Sequence, residues 1–254
     1  MKSMILLLIF SLFLSHAWSV EVYESPDFNE PKQEKEYESV WEIEKENALT
    51  PFTNNTSAWI LGTGTVLSYL VYREQRNAGK FGYDENHAEK VWCDWRCQGN
   101  IIGWGLLQVG YTLTQLPGIY DQDKKALENT EIMWKSTLYT SLYTLGLKIA
   151  VSQERPNSPN KYESFPSGHA SAAFAFATNV AMRHAWYWNF LSVPLAYFVT
   201  ASRVASDDHY IHDSVFGAAL GISVAYGVNK AKLPLILGYE PMEDGGGIVM
   251  NYKF

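Results

Sequence analysis

The chain has 254 residues, of which 47% are hydrophobic and 15% aromatic, enough for one large domain or two small ones. Its formal net charge of −7 means that the field of the whole molecule does not attract nucleic acid or an anionic substrate, so any affinity for phosphate requires a local basic cluster. The mean hydropathy of −0.16 is low for a chain that lies mostly in lipid.

Residues 1–19 are typical of a signal peptide. Lys2 precedes the apolar run MILLLIFSLFL, and the segment AWS at 17–19 has the small-x-small pattern of a signal-peptidase site. An uncleaved anchor is the alternative interpretation. Under both interpretations, signal peptide or anchor, the residues that follow are exported.

The two cysteines of the chain, Cys93 and Cys97, lie in the segment CDWRC. If this loop is also exported, it lies in an oxidising compartment, and a short-loop disulfide is expected. Two cysteines without a suitably spaced pair of histidines make a poor zinc site, so no metal ligands are assigned.

Residues 20–56 are interpreted as an acidic linker or a segment on the protein surface. Residues 20–50 are strongly acidic, contain two prolines and show little apolar periodicity. Such a composition favours solvated charge over an interaction motif.

Residues 57–230 are predicted to form one helical domain. Apolar blocks rich in Ala, Leu and Gly alternate here with short polar breaks, and their length favours helices over strands. The fold class is therefore all-α, an antiparallel bundle of about five or six core helices. The blocks lie at 57–72, 100–117, 132–150, 168–182, 186–203 and 211–228.

The last segment, 231–254, changes in character. A Gly triplet is followed by an alternating stretch that ends in Phe, which predicts a strand-like C-terminal tail, a short strand or hairpin. One such strand cannot close a membrane barrel.

A membrane-spanning arrangement is weighed against a bundle outside the membrane. The blocks 100–117 and 186–203 are long enough to span. With an exported N-terminus, however, spanning would put the polar loop after 150 and the CDWRC segment on the reducing side. A bundle wholly outside the inner membrane is favoured, although the basic residues between the first two blocks support the opposite. The aromatic cluster AWYWN at 185–189 fits contact with a membrane surface, but core packing is the commoner explanation.

Three polar clusters fall at the ends of predicted helices. Taken singly, each has a simple explanation: a basic helix end, a turn with a helix cap, and a surface His–Asp pair. Up-down packing, however, sends the end of block three, the start of four, the end of five and the start of six to one side. The clusters are Lys148 with Arg155-Pro156, then Pro166-Ser167-Gly168-His169, then Arg203 with His209 and Asp213.

These motifs, written Lys148-x6-Arg155-Pro156, PSGH at 166–169 and Ser202-Arg203-x5-His209-x3-Asp213, resemble the three-part signature of the type-2 phosphatidic acid phosphatase and vanadium haloperoxidase superfamily. The match covers residues 148–213, about a quarter of the chain, and no signature position is substituted. The resemblance is greatest to bacterial acid or lipid phosphatases. It implies an all-α core and a phosphatase that needs no metal or other cofactor and acts on a phosphomonoester or lipid phosphate.

The chemistry of phosphoryl transfer assigns a role to each motif residue. Fixed cations have to neutralise the phosphoryl oxygens, and hydroxyl and backbone N–H groups at a helix start add neutral donors. Phosphate binding is assigned to Lys148, Arg155, Ser167, Gly168 and Arg203.

The catalytic residues are predicted to be His209, His169 and Asp213. His209 is the expected nucleophile, Asp213 accepts its Nδ1–H, and His169 protonates the leaving group and later deprotonates water. His212 is interpreted as a rim or structural residue. The acidic pair before the nucleophile, Asp207 and Asp208, is interpreted as solvated turn residues, either of which could repel a second anionic group.

Two other functions remain open from the sequence. One is a vanadate-dependent haloperoxidase, since the same cations bind vanadate, and the other is a non-catalytic envelope protein that binds phosphate headgroups. The expected location is the periplasmic side of a bacterial envelope, soluble or peripheral rather than multi-pass.

Overall fold

The computed structural model describes residues 40–77, 95–121, 123–158, 160–231, 235–242 and 245–252, the last two ranges by their backbone. The predicted signal peptide, Cys93 and the first half of the acidic segment lie outside these residues. The helices are α1 Val40–Thr53, α2 Asn55–Asn77, α3 Trp95–Ile101, α4 Leu107–Tyr120, α5 Lys124–Val151, α6 Gly168–Arg183, α7 Asn189–Ala205 and α8 Ile211–Lys230.

The predicted all-α fold is confirmed, and helix α8 lies at its centre. It packs against α1, α2, α5, α6 and α7. Leu220, Val224 and Val228 of α8 form the main core cluster together with Ile132 and Tyr139 of α5. Helices α6 and α8 approach closely because a small residue stands at their contact: a Cβ on Gly221 would overlap the carbonyl oxygen of Ser171.

Three local features differ from the predicted blocks. Residues 40–53, assigned to the acidic linker, form helix α1, because Ile43, Asn47 and Pro51 are buried within the bundle. The second block is divided between α3 and α4 by a π-helical turn, Ile102–Leu106. The fifth block opens with a 3₁₀ turn, Trp186–Trp188, whose aromatic side chains are exposed rather than packed in the core.

The strand-like tail is an antiparallel hairpin of β1 Leu235–Met242 and β2 Gly245–Tyr252. Leu235 pairs with Tyr252 at one end of the two strands, and Met242 pairs with Gly245 at the other. The Gly triplet thus opens the second strand.

One described helix, α8, is long and apolar enough to cross a membrane, and 67% of its apolar window is buried inside the bundle.

The bundle brings four helix ends together where the polar motifs lie. Helix α5 ends at Val151, α6 begins at Gly168, α7 ends at Ala205 and α8 begins at Ile211. A main-chain hydrogen bond of 3.1 Å from the N–H of Ser167 to the carbonyl of Asp213 joins the starts of α6 and α8. This end of the bundle is the candidate active site.

Candidate active site

The loop between α5 and α6 delivers the start of α6 to the site. Ser167 is the N-cap of α6, and its hydroxyl accepts a hydrogen bond from the N–H of Ala170 at 3.5 Å. The first N–H groups of a helix have no acceptor within the helix and carry the positive end of its dipole. Ser167 is fully buried, so the cap and the Gly168–His169 turn form a fixed wall of the site.

The two predicted phosphate-binding arginines meet at one carboxylate. Nη2 of Arg203 lies 2.5 Å from Oδ2 of Asp208, and Nη1 of Arg155 lies 3.6 Å from Oδ1. The side chains of Arg203 and Arg155 are 6% and 20% exposed. Both guanidinium groups therefore face the interior of the site, although residues 155 and 203 stand on different segments.

Each guanidinium has one buried N–H donor that makes no hydrogen bond to the described residues. No acceptor among the described residues lies within hydrogen-bond distance of Nε of Arg155 or Nε of Arg203. A buried polar atom without a partner costs free energy, about 1–3 kcal/mol. Such donors suit an anion with several oxygens, which a single carboxylate does not replace.

Lys148, near the end of α5, adds the third cation. Its ammonium donates a hydrogen bond to the carbonyl of Glu163, which anchors it to the loop that carries Arg155. Burial lowers the pKa of Lys148 to about 8, and the nearby charge of Arg155 acts in the same direction. Lys161, by contrast, has an exposed side chain.

His209 is buried and is held by the end of α7. Its backbone N–H donates to the carbonyl of Arg203 at 3.3 Å. Its Nδ1 lies 3.7 Å from Oδ2 of Asp213, close enough for electrostatic attraction but too far for a direct hydrogen bond. Burial lowers the pKa of His209, against the opposing influence of Asp213, so the neutral imidazole is favoured.

Asp213 is fully buried and has closer partners than His209. Its Oδ2 accepts hydrogen bonds from the hydroxyl of Ser164 at 2.5 Å and from the N–H of Tyr210 at 2.9 Å. Burial alone would raise the pKa of Asp213, but the neighbouring imidazoles of His209 and His212 outweigh it and hold the pKa below its usual range. The residue thus stays a carboxylate.

His212 is buried beside Asp213 instead of lying at the rim. Its Nε2 is 2.9 Å from Oδ1 of Asp213, and its Nδ1 is 3.1 Å from Oε1 of Gln75 on α2. The rings of Phe165 and Tyr210 stack against it. The structural role of His212 is therefore to support the carboxylate of Asp213.

His169 packs against the π-helical turn. A Cβ on Gly103 would lie 2.5 Å from Cδ2 of the His169 ring, so only glycine leaves room for this imidazole. Burial lowers the pKa of His169 to about 3, and Arg203 and His209 add to the shift, while a hydrogen bond with the backbone of Asn100 opposes it. His169 thus lies near enough to Arg203 and His209 to be influenced by their charge.

Sequence reasoning missed four contributors to this site. Asp208 carries an acidic side chain next to His209, but nothing in the sequence distinguishes it from Asp207. Ser164 and Asn157 lie in the loop after α5 and belong to none of the three motifs, and Gly103 stands far from every motif. Among the described residues, no group of three or more His, Cys, Asp or Glu is placed to hold a metal ion.

Cys97, at the start of α3, is disulfide-bonded. Its predicted partner, Cys93, lies outside the described residues. Helix α3 packs against the end of α7, where a Cβ on Gly99 would overlap Oγ of Ser202.

Comparison with known families agrees with this site. Residues 127–234, from α5 to just beyond α8, match the family model of the PAP2 superfamily. This matched part of the chain holds all three motifs, and the resemblance drawn from the motifs is confirmed over these residues. Members are generally phosphatases or related hydrolases, which indicates phosphatase-type activity in general. No significant match was found among curated proteins or among solved structures.

Substitution Gly103→Ala tests the support of His169. The added methyl group would push the imidazole away, and if His169 is the general acid predicted from the sequence, a displacement of this size is expected to lower kcat by about 10–100-fold. The measurement is phosphatase turnover together with the melting temperature. Gly110→Ala is the matched control, because a Cβ there meets nothing within 4 Å. Equal activity of the two variants would contradict the assigned contact.

The lowered pKa of Lys148 predicts that substrate binding weakens in mild alkali. Lys148 carries its charge below about pH 8 and loses it above, so KM should rise between pH 7 and pH 9.5. In Lys148→Arg the charge persists throughout this range, and the rise should disappear even if KM itself changes. A KM of the wild-type protein that stays flat to pH 9.5 would refute this.

Proposed function

We propose that the chain is a metal-independent phosphatase that hydrolyses phosphomonoesters, and lipid phosphates in particular, through a phosphohistidine intermediate. The observation that carries the proposal is the pair of largely buried guanidinium groups, Arg155 and Arg203, which meet at Asp208, the residue that precedes His209. Both arginines keep a buried donor that meets no acceptor among the described residues. A tetrahedral oxyanion fits such a set of donors.

Phosphoryl transfer requires neutralisation of the charge on three oxygens and in-line approach of the nucleophile. Arg155 and Arg203 bind these oxygens through bidentate hydrogen bonds, and Lys148 adds a point charge. The hydroxyl of Ser167 and the first N–H groups of α6 supply neutral donors. These fixed groups neutralise the phosphoryl charge that metal ions neutralise in many other phosphatases.

In the first step, Nε2 of His209 attacks phosphorus and the bond from phosphorus to the leaving oxygen breaks. His169 gives its proton to that oxygen. In the second step, a water molecule gives a proton to His169 and attacks phosphorus, the P–N bond breaks, and inorganic phosphate leaves. The carboxylate of Asp213 stabilises the positive charge on the His209 ring, and such contacts tighten when substrate is bound.

The lowered pKa values of both histidines fit these roles. Burial keeps His209 neutral, as a nucleophile must be. The pKa of His169, about 3 in the free site, leaves its imidazole neutral, so the ring has to gain a proton before it can act as the acid of the first step. A bound phosphate dianion brings negative charge next to this ring, which favours the protonated form that the first step needs.

Substitution His209→Ala tests the mechanism. Turnover should be abolished while binding of inorganic phosphate is retained, because the cations remain in place. Wild-type protein quenched during turnover of a ³²P-labelled substrate should carry acid-labile label on His209, and turnover should persist in EDTA. Vanadate should inhibit, whereas stimulation of halide oxidation by vanadate would favour the haloperoxidase alternative. Unchanged turnover in the variant would refute the assignment.

The outer surface of the bundle favours lipid phosphates as substrates. Most of the exposed large apolar side chains lie on α2, α4, α5 and α7, while polar residues such as Ser136, Thr140 and Asn179 are buried between helices. A soluble bundle shows the opposite distribution, whereas small polar residues between helices and apolar residues outside are typical of proteins in lipid. The 3₁₀ turn exposes Trp186 and Tyr187, residues that favour a membrane interface.

On α5 the apolar face reaches the site. It runs from Trp134 to Ile149, a length of about 22 Å, and Ile149 directly follows Lys148. A lipid lying along this face would hold its headgroup near Lys148. We therefore propose a closer association with lipid than the peripheral arrangement favoured by the sequence. The disulfide of Cys97 supports placing this end of the bundle on the exported, oxidising side.

The lipid contact can be tested with vesicles of phosphatidylcholine. Wild-type protein should float with the vesicles, and its tryptophan fluorescence should be quenched by brominated lipid. The double substitution Leu138→Glu and Leu142→Glu places two charges on the exposed face of α5 and should reduce flotation and the turnover of phosphatidate. Turnover of a water-soluble phosphomonoester should persist.

The matched control is Lys125→Glu, which changes the net charge by the same amount at an exposed position in the first turn of α5. It should leave flotation unchanged. Wild-type protein that stays monodisperse in buffer without lipid or detergent and shows no quenching would contradict the proposed contact.

A further inference from the structure

We propose that Asp208 competes with the substrate phosphate for the two arginines, and so sets the affinity of the site for its substrate and product. This inference rests on the proposed function. It gives Asp208, interpreted from the sequence as a solvated turn residue, a defined part in substrate recognition.

The contacts of Asp208 place its carboxylate at the anion position. It bridges Arg203 and Arg155 at 2.5 and 3.6 Å. Nδ2 of Asn157 lies 3.1 Å from Oδ1 of Asp208 and also donates to the carbonyl of Ser206 at 3.2 Å. The side chain of Asp208 is 20% exposed, so most of it is shielded from water.

The backbone fixes this carboxylate close to the nucleophile. The N–H groups of Asp208 and His209 both donate to the carbonyl of Arg203, at 3.1 and 3.3 Å. Asp207, which precedes them, has a φ of 53° that turns the chain sharply. Because Asp208 is tethered next to the arginines, its effective concentration there is high, and an incoming anion meets an intramolecular competitor.

A phosphate can displace the carboxylate because it brings more charge and more oxygens. A guanidinium binds either anion through the same planar fork, so Asp208 and phosphate exclude each other from the faces they share. After displacement, the carboxylate remains near the bound phosphate and repels it. Both effects weaken binding, which also speeds release of inorganic phosphate from the site.

Substitution Asp208→Asn removes the charge and keeps the shape. In the purified full-length chain, isothermal titration calorimetry with inorganic phosphate at pH 7.5 should give a Kd about tenfold lower than in the wild-type protein. KM should fall, and inhibition of turnover by inorganic phosphate should strengthen. An unchanged or higher Kd would overturn the inference, since Asp208 would then only hold the arginines in place.

Asp207→Asn is the matched control. It makes the same change in charge one residue away, Asp207 forms no ion pair within the described part of the chain, and asparagine tolerates its positive φ. Its Kd should stay within about twofold of the wild-type value. If both variants lowered the Kd equally, the change in net charge alone would explain the result, and the inference would be overturned.

A second variant covers the case in which Asp208→Asn does not fold. Asn157→Ala removes the amide that holds the carboxylate between the arginines, so it should also lower the Kd for phosphate, by a smaller factor. An unchanged Kd would count against the inference. Failure of the proposed function is distinguishable: the wild-type protein would show no turnover, while Asp208→Asn would still bind inorganic phosphate more tightly.

Discussion

The site depends on the burial of several positive charges at one end of a helical bundle. Lys148, Arg155 and Arg203 repel one another and lose hydration, which is unfavourable unless anions compensate. The protein supplies a carboxylate, Asp208, and a backbone carbonyl, that of Glu163. Glu163 adds a second carboxylate, whose Oε2 lies 3.7 Å from Nη2 of Arg155, and a bound anion that reaches all three cations would compensate their charge further.

Helix α8 contributes both to the hydrophobic core and to the candidate active site. Its middle forms the hydrophobic core, and its first turn carries Asp213, which binds the loop residue Ser164 and the N–H of Tyr210. His212 braces the same carboxylate through contacts that reach Gln75 on α2. His209, the proposed nucleophile, thus lies 3.7 Å from a carboxylate that the packed interior holds in place.

The sequence predicted those parts of the molecule that depend on local composition. Long apolar blocks predicted the helices, and the grouping of charged residues at their ends predicted the site. It could not separate Asp208 from Asp207, because two adjacent identical residues differ only in the backbone angle that turns one of them inward. Gly103 escaped notice since its importance arises from a π-helical turn and a contact with His169. Helix α1 was missed because its buried residues are sparse within an acidic segment.

The link between Ser167 and Asp213 uses only main-chain atoms. Its geometry therefore does not depend on which side chains occupy the surrounding loop. Residues between Asn157 and Glu163 can change in sequence or in number while the two histidines keep their spacing. The loop can in this way change its contacts with a ligand while the starts of α6 and α8 stay in place.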